Sequence, residues 1–377
     1  MKILIDNSNL FAGGGLQVAA SFIRDLKKLG YNNEYYIVQS FNSSKELGNE
    51  SFPENFTFIN FSKKEEKSIF KRIKELKKIE NTIKPDVIFT VFGPSYHKSD
   101  YKKIVGFAWG FVIYPNSPYF KKISFKTFFK FKILNFIKVF CFNKNSDALI
   151  FETDYSREYY LKNLNYKKET YVVSNTLNTI FNQKELHEDY YLKSKANYNI
   201  LFLTANYQHK NLDLLPEIIE FLRNKEKKDF FIIHVSVNEY DLEIPIELKK
   251  YVNFLGKVTL NELPSLYEQM DAVLMPSLLE TFSTTYLEAM FMKKPLVVSD
   301  LEFARDICRD SAIYCTPTSS MDFANALYNI FRDKQLANTL VNNGDINLKR
   351  FGTSLDRTKK YLAILEKTIN TQNKKWK

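Results

Sequence analysis

Short apolar runs alternate with amphipathic ones along most of this chain. KILID (2–6) is a compact apolar run closed by an acid, the pattern of a buried strand. GLQVAASFIRDLKKLG (15–30) follows with apolar residues at helical spacing and predicts a helix that stops at Gly30. EYYIVQS (34–40) and DVIFTVF (86–92) read as further strands, separated by a lysine-rich helix over 64–83. KIVGFAW (103–109), DALIFET (147–153) and YVVSN (171–175) complete the series, with a short helix from Asp154. Strands alternating with helices predict a parallel sheet covered on both faces.

Residues 176–197 (TLNTIFNQKELHEDYYLKSKAN) are polar and break this rhythm, as a connection between domains would. A second α/β series then begins with strand NILFLTA (199–205), helix NLDLLPEIIEFLRN (211–224), and strands FFIIHVSV (230–237) and YVNFLG (251–256). It continues through helix LNELPSLYEQM (260–270), strand DAVLMP (271–276), helix 284–292, and strands PLVVSD (295–300) and AIYCT (312–316). Helices fill most of 320–370. At 377 residues the chain is longer than a single core usually supports. The expectation is two doubly wound domains, 1–178 and 194–352, with a helix in 355–377 packing back on the first. Ligands of such folds bind at the carboxyl ends of the strands, so a cleft between the two sheets is the expected site.

Composition changes this picture at three points. No apolar run approaches the length that spans a bilayer. The start, MKILIDNSNLF, carries Asp6 and no long apolar core, which is not the form of a secretion signal. Cys141, Cys308 and Cys315 lack metal-ligand or redox spacing and read as reduced thiols of a cytoplasmic protein.

Charge is more informative. The net charge is +11, and residues 1–180 hold 28 Lys/Arg against 17 Asp/Glu, whereas 181–377 hold 26 of each. The excess is densest in YFKKISFKTFFKFKILNFIKVFCFNKN (119–145), which has seven lysines and no acid among many phenylalanines. Apolar residues at 125, 128, 129, 133, 136, 137 and 140 follow a helical period, with Lys122, Lys126, Lys130 and Lys138 mostly between them. A basic aromatic helix of this kind suits an anionic membrane surface, with Lys122, Lys126 and Lys130 facing it. A core helix with a solvated lysine face fits the same residues. Nucleic acid is a third partner for basic and aromatic residues, and it ranks last because no nucleic-acid module accompanies them.

Three motifs carry candidate chemistry. The loop NSNLFAGGGLQV (7–18) places Gly13, Gly14 and Gly15 before a helix, where backbone can approach an anion closely. Its spacing is not GxGxxG, and no acid ends a second strand, which argues against a nicotinamide dinucleotide. TANYQHKNLDLL (204–215) places His209 and Lys210 at a helix start, where a lysine can neutralise a diphosphate. ETFSTTYLE (280–288) carries two glutamates around hydroxyl residues. On one continuous helix they would lie about 12 Å apart. With an N-cap near Ser283–Thr285, Glu280 falls on the preceding loop and Glu288 one turn into the helix. Thr285-x-x-Glu288 also fits a capping box, which explains Glu288 without a ligand and leaves Glu280 unexplained.

The run NFLGKVT…LPSLYEQMDAVLMPSLLETFSTTYLEAMFMKKPLVVSDLEFARDICRDSAIYCTP (253–317) resembles the donor-binding half of the retaining glycosyltransferases of family 4. Two glutamates separated by seven residues, between "PS" and "EAM", are the most specific mark. The glycine loop, SNT at 174–176 and HKN at 209–211 fall in family order. The resemblance implies a GT-B fold, two Rossmann-like domains facing each other across a cleft. It implies that Glu280 bonds the donor sugar, Glu288 the ribose, and Lys210 with His209 the diphosphate. Phe282 and the amides of Ser283 and Thr284 would lie at the same phosphates, Lys257–Val258 at the base, and Gly13–Gly15 on the donor from the other domain. The sequence departs from the family where "EGFG" reads Glu280-Thr281-Phe282-Ser283 and where a Gly-Arg pair reads Ala205-Asn206. KIVGFAWGFVIYP (103–115) stands where the family carries a histidine.

These residues lead to a specific expectation. It is a metal-independent, retaining transferase of a hexose from a nucleotide-sugar, serving bacterial surface polysaccharide such as O-antigen or capsule. The nucleotide-sugar is the substrate and no cofactor is required. No Asp-x-Asp triplet for a metal occurs in the chain. The acceptor is a glycan or a polyprenyl-linked glycan, reached from the cytoplasmic face of the membrane. A sugar-nucleotide epimerase on the same fold and a non-catalytic scaffold with a basic face are the alternatives.

Overall fold

A computed structural model of the chain describes residues 1–66, 68–225 and 230–373, so the last four residues of the 355–377 segment lie outside the described residues. The chain forms two compact units. The first comprises Met1–Ile113, Phe125–Asn175 and the chain from Thr353, and the second comprises Tyr114–Ser124 and Thr176–Gly352.

The first unit is built on seven parallel strands: β1 (Lys2–Asn7), β2 (Glu34–Gln39), β3 (Phe56–Asn60), β4 (Val87–Thr90), β5 (Lys103–Phe107), β6 (Ala148–Phe151) and β7 (Glu169–Val172). Their order is β3-β2-β1-β4-β5-β6-β7, so the winding reverses between β1 and β4. Apolar side chains of central β1 and β4 point to both faces because helices cover both. The helix Gly14–Leu29 lays Ala19, Phe22, Ile23 and Leu26 on one face, and the C-terminal helix Ser354–Asn373 adds Tyr361, Leu362 and Leu365 to the same core. The Phe22 ring meets Phe89 and Tyr361 edge-on at 5.4 and 5.5 Å. Gly106 in β5 is obligatory, since a Cβ there would lie 1.8 Å from the Val91 carbonyl oxygen.

The second unit has six parallel strands: β8 (Tyr198–Phe202), β9 (Phe231–Val235), β10 (Val252–Phe254), β11 (Ala272–Met275), β12 (Leu296–Ser299) and β13 (Ala312–Cys315). The order β10-β9-β8-β11-β12-β13 reverses between β8 and β11. Both units therefore carry the Rossmann winding, and in each the loops at the reversal are where a ligand site is favoured.

Several sequence expectations change here. β3 was missed because FTFIN is a half-buried edge strand whose apolar pattern is short. A helix, Glu302–Cys308, crosses between β12 and β13, as a parallel pair requires. The segment 176–197 is no free linker but packs on the second unit. Phe181 lies edge-on to Tyr267 at 5.8 Å, and Gln269 donates to the Tyr190 carbonyl at 2.6 Å. The basic helix expected through 119–145 is two: Tyr119–Lys122 in the second unit, and Phe125–Asn145 in the first. Lys122 is thereby removed from the basic face. The three cysteines are free and buried. No helix among the described residues is long and apolar enough to cross a membrane.

Candidate functional site

Local sequence brings two loops of the second unit together at the winding reversal. After β8 the chain does not enter a helix at once. It makes a 3-10 turn at Gln208–Lys210, a left-handed residue at Asn211 (φ 63°), and a second 3-10 turn at Leu212–Leu214 before the helix from Leu215. Lys210 is thus on a turn rather than at the helix start that its sequence suggested. Asn211 is fully buried, and its amide donates to the carbonyls of Pro276 and Pro317 at 3.1 and 3.0 Å. That stitches the turn to the loops after β11 and β13. The Leu278 amide donates to the His209 carbonyl at 2.7 Å, fixing the second loop against the first.

Within this frame Lys210 Nζ donates to Glu280 Oε1 at 2.5 Å, with side-chain exposures of 18% and 11%. Burial holds the His209 imidazole below its ordinary value, against an opposing pull from Glu280, so it is mainly neutral at pH 7. Its ring stacks on Tyr207, with centroids 5.5 Å apart. The segment 114–124 leans on the same loops. Ser117 donates through its hydroxyl to the Leu278 carbonyl, and Lys122 Nζ reaches Asn211 Oδ1 at 2.6 Å and Asp213 Oδ2 at 2.7 Å. Lys122 is therefore a partner of the Lys210 turn, a role its place in a lysine-rich run concealed.

The loop after β11 ends at Ser283, the N-cap of the helix Thr284–Phe291. The capping box on Thr285 does not form: the cap lies two residues earlier and makes no side-chain bond. Glu288 turns inward instead, 5% exposed, and Oε2 accepts from the Tyr267 hydroxyl at 2.9 Å. Burial pushes its carboxyl up, and the bonds from Tyr267 and Thr284 pull it partly back. No acid occupies the first turn of that helix, so its amino end faces the loop without a built-in counter-charge. Phe282 packs edge-on to Phe351 at 5.8 Å.

Lys257 and Val258 line a cavity of about 310 Å³ with Leu203, Asn206, Asn238 and Gly256, at the carboxyl ends of β8, β9 and β10. In the first unit Gly13 has φ 79° as the N-cap of Gly14–Leu29. A Cβ at Gly13 or Gly14 would meet nothing within 4 Å. Gly13 therefore serves backbone conformation, Gly14 borders open space, and at Gly15 a Cβ would meet Phe92 and Leu10. Lys126 and Lys130 are exposed on the helix Phe125–Asn145. Sequence reasoning passed over Tyr267 and Asn211. Asn211 had a signal in HKN, whereas Tyr267 lies 21 residues from its partner and had none.

Two Rossmann-wound units, with these loops at the reversal of the second, make this a protein of the GT-B glycosyltransferase fold. Residues 197–333, within the second unit, match the family model described as glycosyl transferases group 1. The O-antigen chain mannosyltransferase RfbU of Salmonella typhimurium is 29% identical over 171 residues, 43% of this chain and 46% of RfbU. The alpha-monoglucosyldiacylglycerol synthase of Acholeplasma laidlawii is 25% identical over 169 residues, 43% of this chain and 42% of that protein. These matches span less than half of either relative. In structure, sucrose-phosphate synthase from Thermosynechococcus elongatus is similar with a TM-score of 0.71 at 13% identity, covering 98% of this chain and 99% of that one. The lipopolysaccharide glycosyltransferase WaaG has a TM-score of 0.69 at 13% identity, covering 97% and 99%. Anabaena Alr3699/HepE, solved with UDP, has a TM-score of 0.68 at 14% identity, covering 97% and 100%. Likeness at these identities speaks for the fold.

Proposed function

We propose that the protein is a retaining glycosyltransferase that moves a hexose from a nucleoside diphosphate donor to a glycan or lipid-linked acceptor of a bacterial surface polysaccharide. The observation that carries this reading is the Lys210–Glu280 pair, held at the winding reversal by Asn211 and by the Leu278–His209 bond. A surface ion pair would be worth little, but this one is mostly buried and fixed from three loops. Transfer breaks the bond between the anomeric carbon and the diphosphate oxygen. The sugar ring gains positive charge and the diphosphate negative charge. Lys210 and the uncapped amino end of Thr284–Phe291 stabilise the leaving diphosphate by fixed positive charge, so the reading is metal-independent. Glu280 holds Lys210 in place and bonds the sugar hydroxyls. The acceptor hydroxyl attacks from the face the diphosphate leaves, forms the new bond and gives its proton to the departing oxygen. Configuration is thereby retained without a protein nucleophile. The cavity at Lys257–Val258 takes the base.

The relatives support the acceptor class: one is named for O-antigen chain synthesis and another for a glucosyldiacylglycerol. The helix Phe125–Asn145 supports a peripheral position on the cytoplasmic membrane face. Phe125, Phe129, Ile133, Phe136, Ile137 and Phe140 are all exposed, Phe125 at 77%, beside exposed Lys126 and Lys130. Apolar side chains left in water at this spacing gain by entering an interface, and the lysines suit anionic headgroups.

The test is nucleotide release from UDP-, GDP- and dTDP-sugars by the purified chain. One donor is expected to be cleaved, and Glu280→Ala or Lys210→Ala should lower kcat by about 10²-fold or more. EDTA should leave the rate unchanged. A chain that binds none of the three nucleoside diphosphates is not this enzyme.

A further inference from the structure

Trp109 stands two residues beyond the end of β5, at the carboxyl edge of the first sheet. Its indole N–H donates to Asn135 Oδ1 at 2.7 Å, and the Asn135 amide donates to the Phe111 carbonyl at 3.2 Å. The ring is thus fixed to the helix Phe125–Asn145. Phe111 lies 4.7 Å from it, centroid to centroid, and stacks on Phe131 at 4.5 Å. Lys138, one turn after Asn135, places its ammonium 3.0 Å from the centre of the indole ring. Burial lowers that ammonium to about 8, and no carboxylate among the described residues opposes the shift.

Three other half-buried or buried lysines differ. Lys103 faces Glu80, Lys122 faces Asp213, and Lys210 faces Glu280. A ring face restores only part of the hydration an ammonium loses, so an unpaired lysine at this depth favours an external anion. Phosphate supplies such an anion with several acceptor oxygens. The aromatic wall of Trp109, Phe111 and Phe131 adds an apolar surface beside the charge. Phe129, Ile133, Phe136 and Phe140 of the same helix are exposed, so the helix joins a lipid-compatible stripe to an anion-compatible lysine.

We infer that Lys138 and Trp109 form a binding site for the phosphate group of an isoprenoid-linked acceptor, with the lysine on the phosphate and the aromatic wall on the adjoining apolar group. That the ligand is an acceptor rests on the glycosyltransferase reading; that it is a phosphorylated isoprenoid rests on this helix alone.

The sequence has two tryptophans, so Trp376→Phe leaves Trp109 as sole reporter in the full chain. Farnesyl diphosphate, below its micellar concentration, should change Trp109 emission saturably, and inorganic pyrophosphate should compete. Lys138→Gln should weaken farnesyl diphosphate binding about tenfold or more, and Lys138→Arg should retain it. Farnesol should bind more weakly than its diphosphate and with no dependence on Lys138. Equal affinity in Lys138→Gln, or farnesol binding as tightly as the diphosphate, overturns the site. Phosphatidylglycerol vesicles giving the same Lys138-dependent change would assign it to bilayer headgroups and overturn the acceptor claim. Melting temperature and nucleoside diphosphate binding, measured on Lys138→Gln, should match the parent. A parent that binds farnesyl diphosphate but no nucleoside diphosphate loses the transferase reading and keeps the site.

Discussion

Glu280 and Glu288 are eight positions apart and meet different physics. Glu280 is on a loop and faces a cation; Glu288 is in the core and faces a phenol. The spacing of the two was legible in the sequence, and so was the loop position of the first. The partner of the second was not, because besides the local Thr284 hydroxyl it is the Tyr267 phenol, which lies 21 residues away and which no short window contains. A buried carboxyl takes the donor that fixes it best, and here that donor comes from another helix. Tyr267→Phe removes this bond while keeping the ring, leaving Glu288 with less of its needed hydrogen bonding. Unfolding in urea should show a loss of about 1–3 kcal/mol, with Glu288→Gln in the same background recovering part of it. An unchanged midpoint would mean that the phenol does not hold the carboxyl.

At the scale of elements, the helix Phe125–Asn145 is where sequence pattern and packing diverge most. Its period was visible, and three partners were compatible with it. Packing decides that the stripe at 125, 129, 133, 136 and 140 is not core: these side chains remain exposed while Cys141 and Phe142 are buried. Each phenylalanine that leaves water is worth about 1.5–3 kcal/mol, so a few dominate binding to a bilayer. The full chain should float with anionic liposomes. Phe129→Ser with Phe136→Ser should abolish flotation, and Lys126→Ser with Lys130→Ser should weaken it and increase its salt sensitivity. Flotation indifferent to the phenylalanine pair would remove the helix from the membrane.

Across the whole molecule, the chain returns at its end to the unit where it began. Arg357 of the C-terminal helix donates to Asn175 and Ser21, and it sits near Glu152 at the end of β6. Burial pushes the Glu152 carboxyl up to about 8, and Arg357 draws it only partly back. Folding therefore takes up a proton between the ordinary value of 4.5 and about 8. The stability tied to that proton is fully present below 4.5 and is lost as pH rises through about 8. The melting temperature of the parent should fall more steeply between pH 5 and 8 than that of Glu152→Gln. Parallel profiles would contradict a protonated Glu152.

The sequence by itself determined the alternation of strand and helix, the two-unit organisation, the loops that carry Lys210 and Glu280, and the basic aromatic helix. These are properties of period, turn chemistry and composition, which short windows contain. Only the tertiary structure decided which unit owns 114–124, that 176–197 packs rather than links, and that Lys122 serves the Lys210 turn. It alone brought Tyr267 to Glu288 and Lys138 to Trp109. Those contacts join residues tens of positions apart, and their choice depends on which side chains the folded core leaves within reach of one another, which no local pattern records.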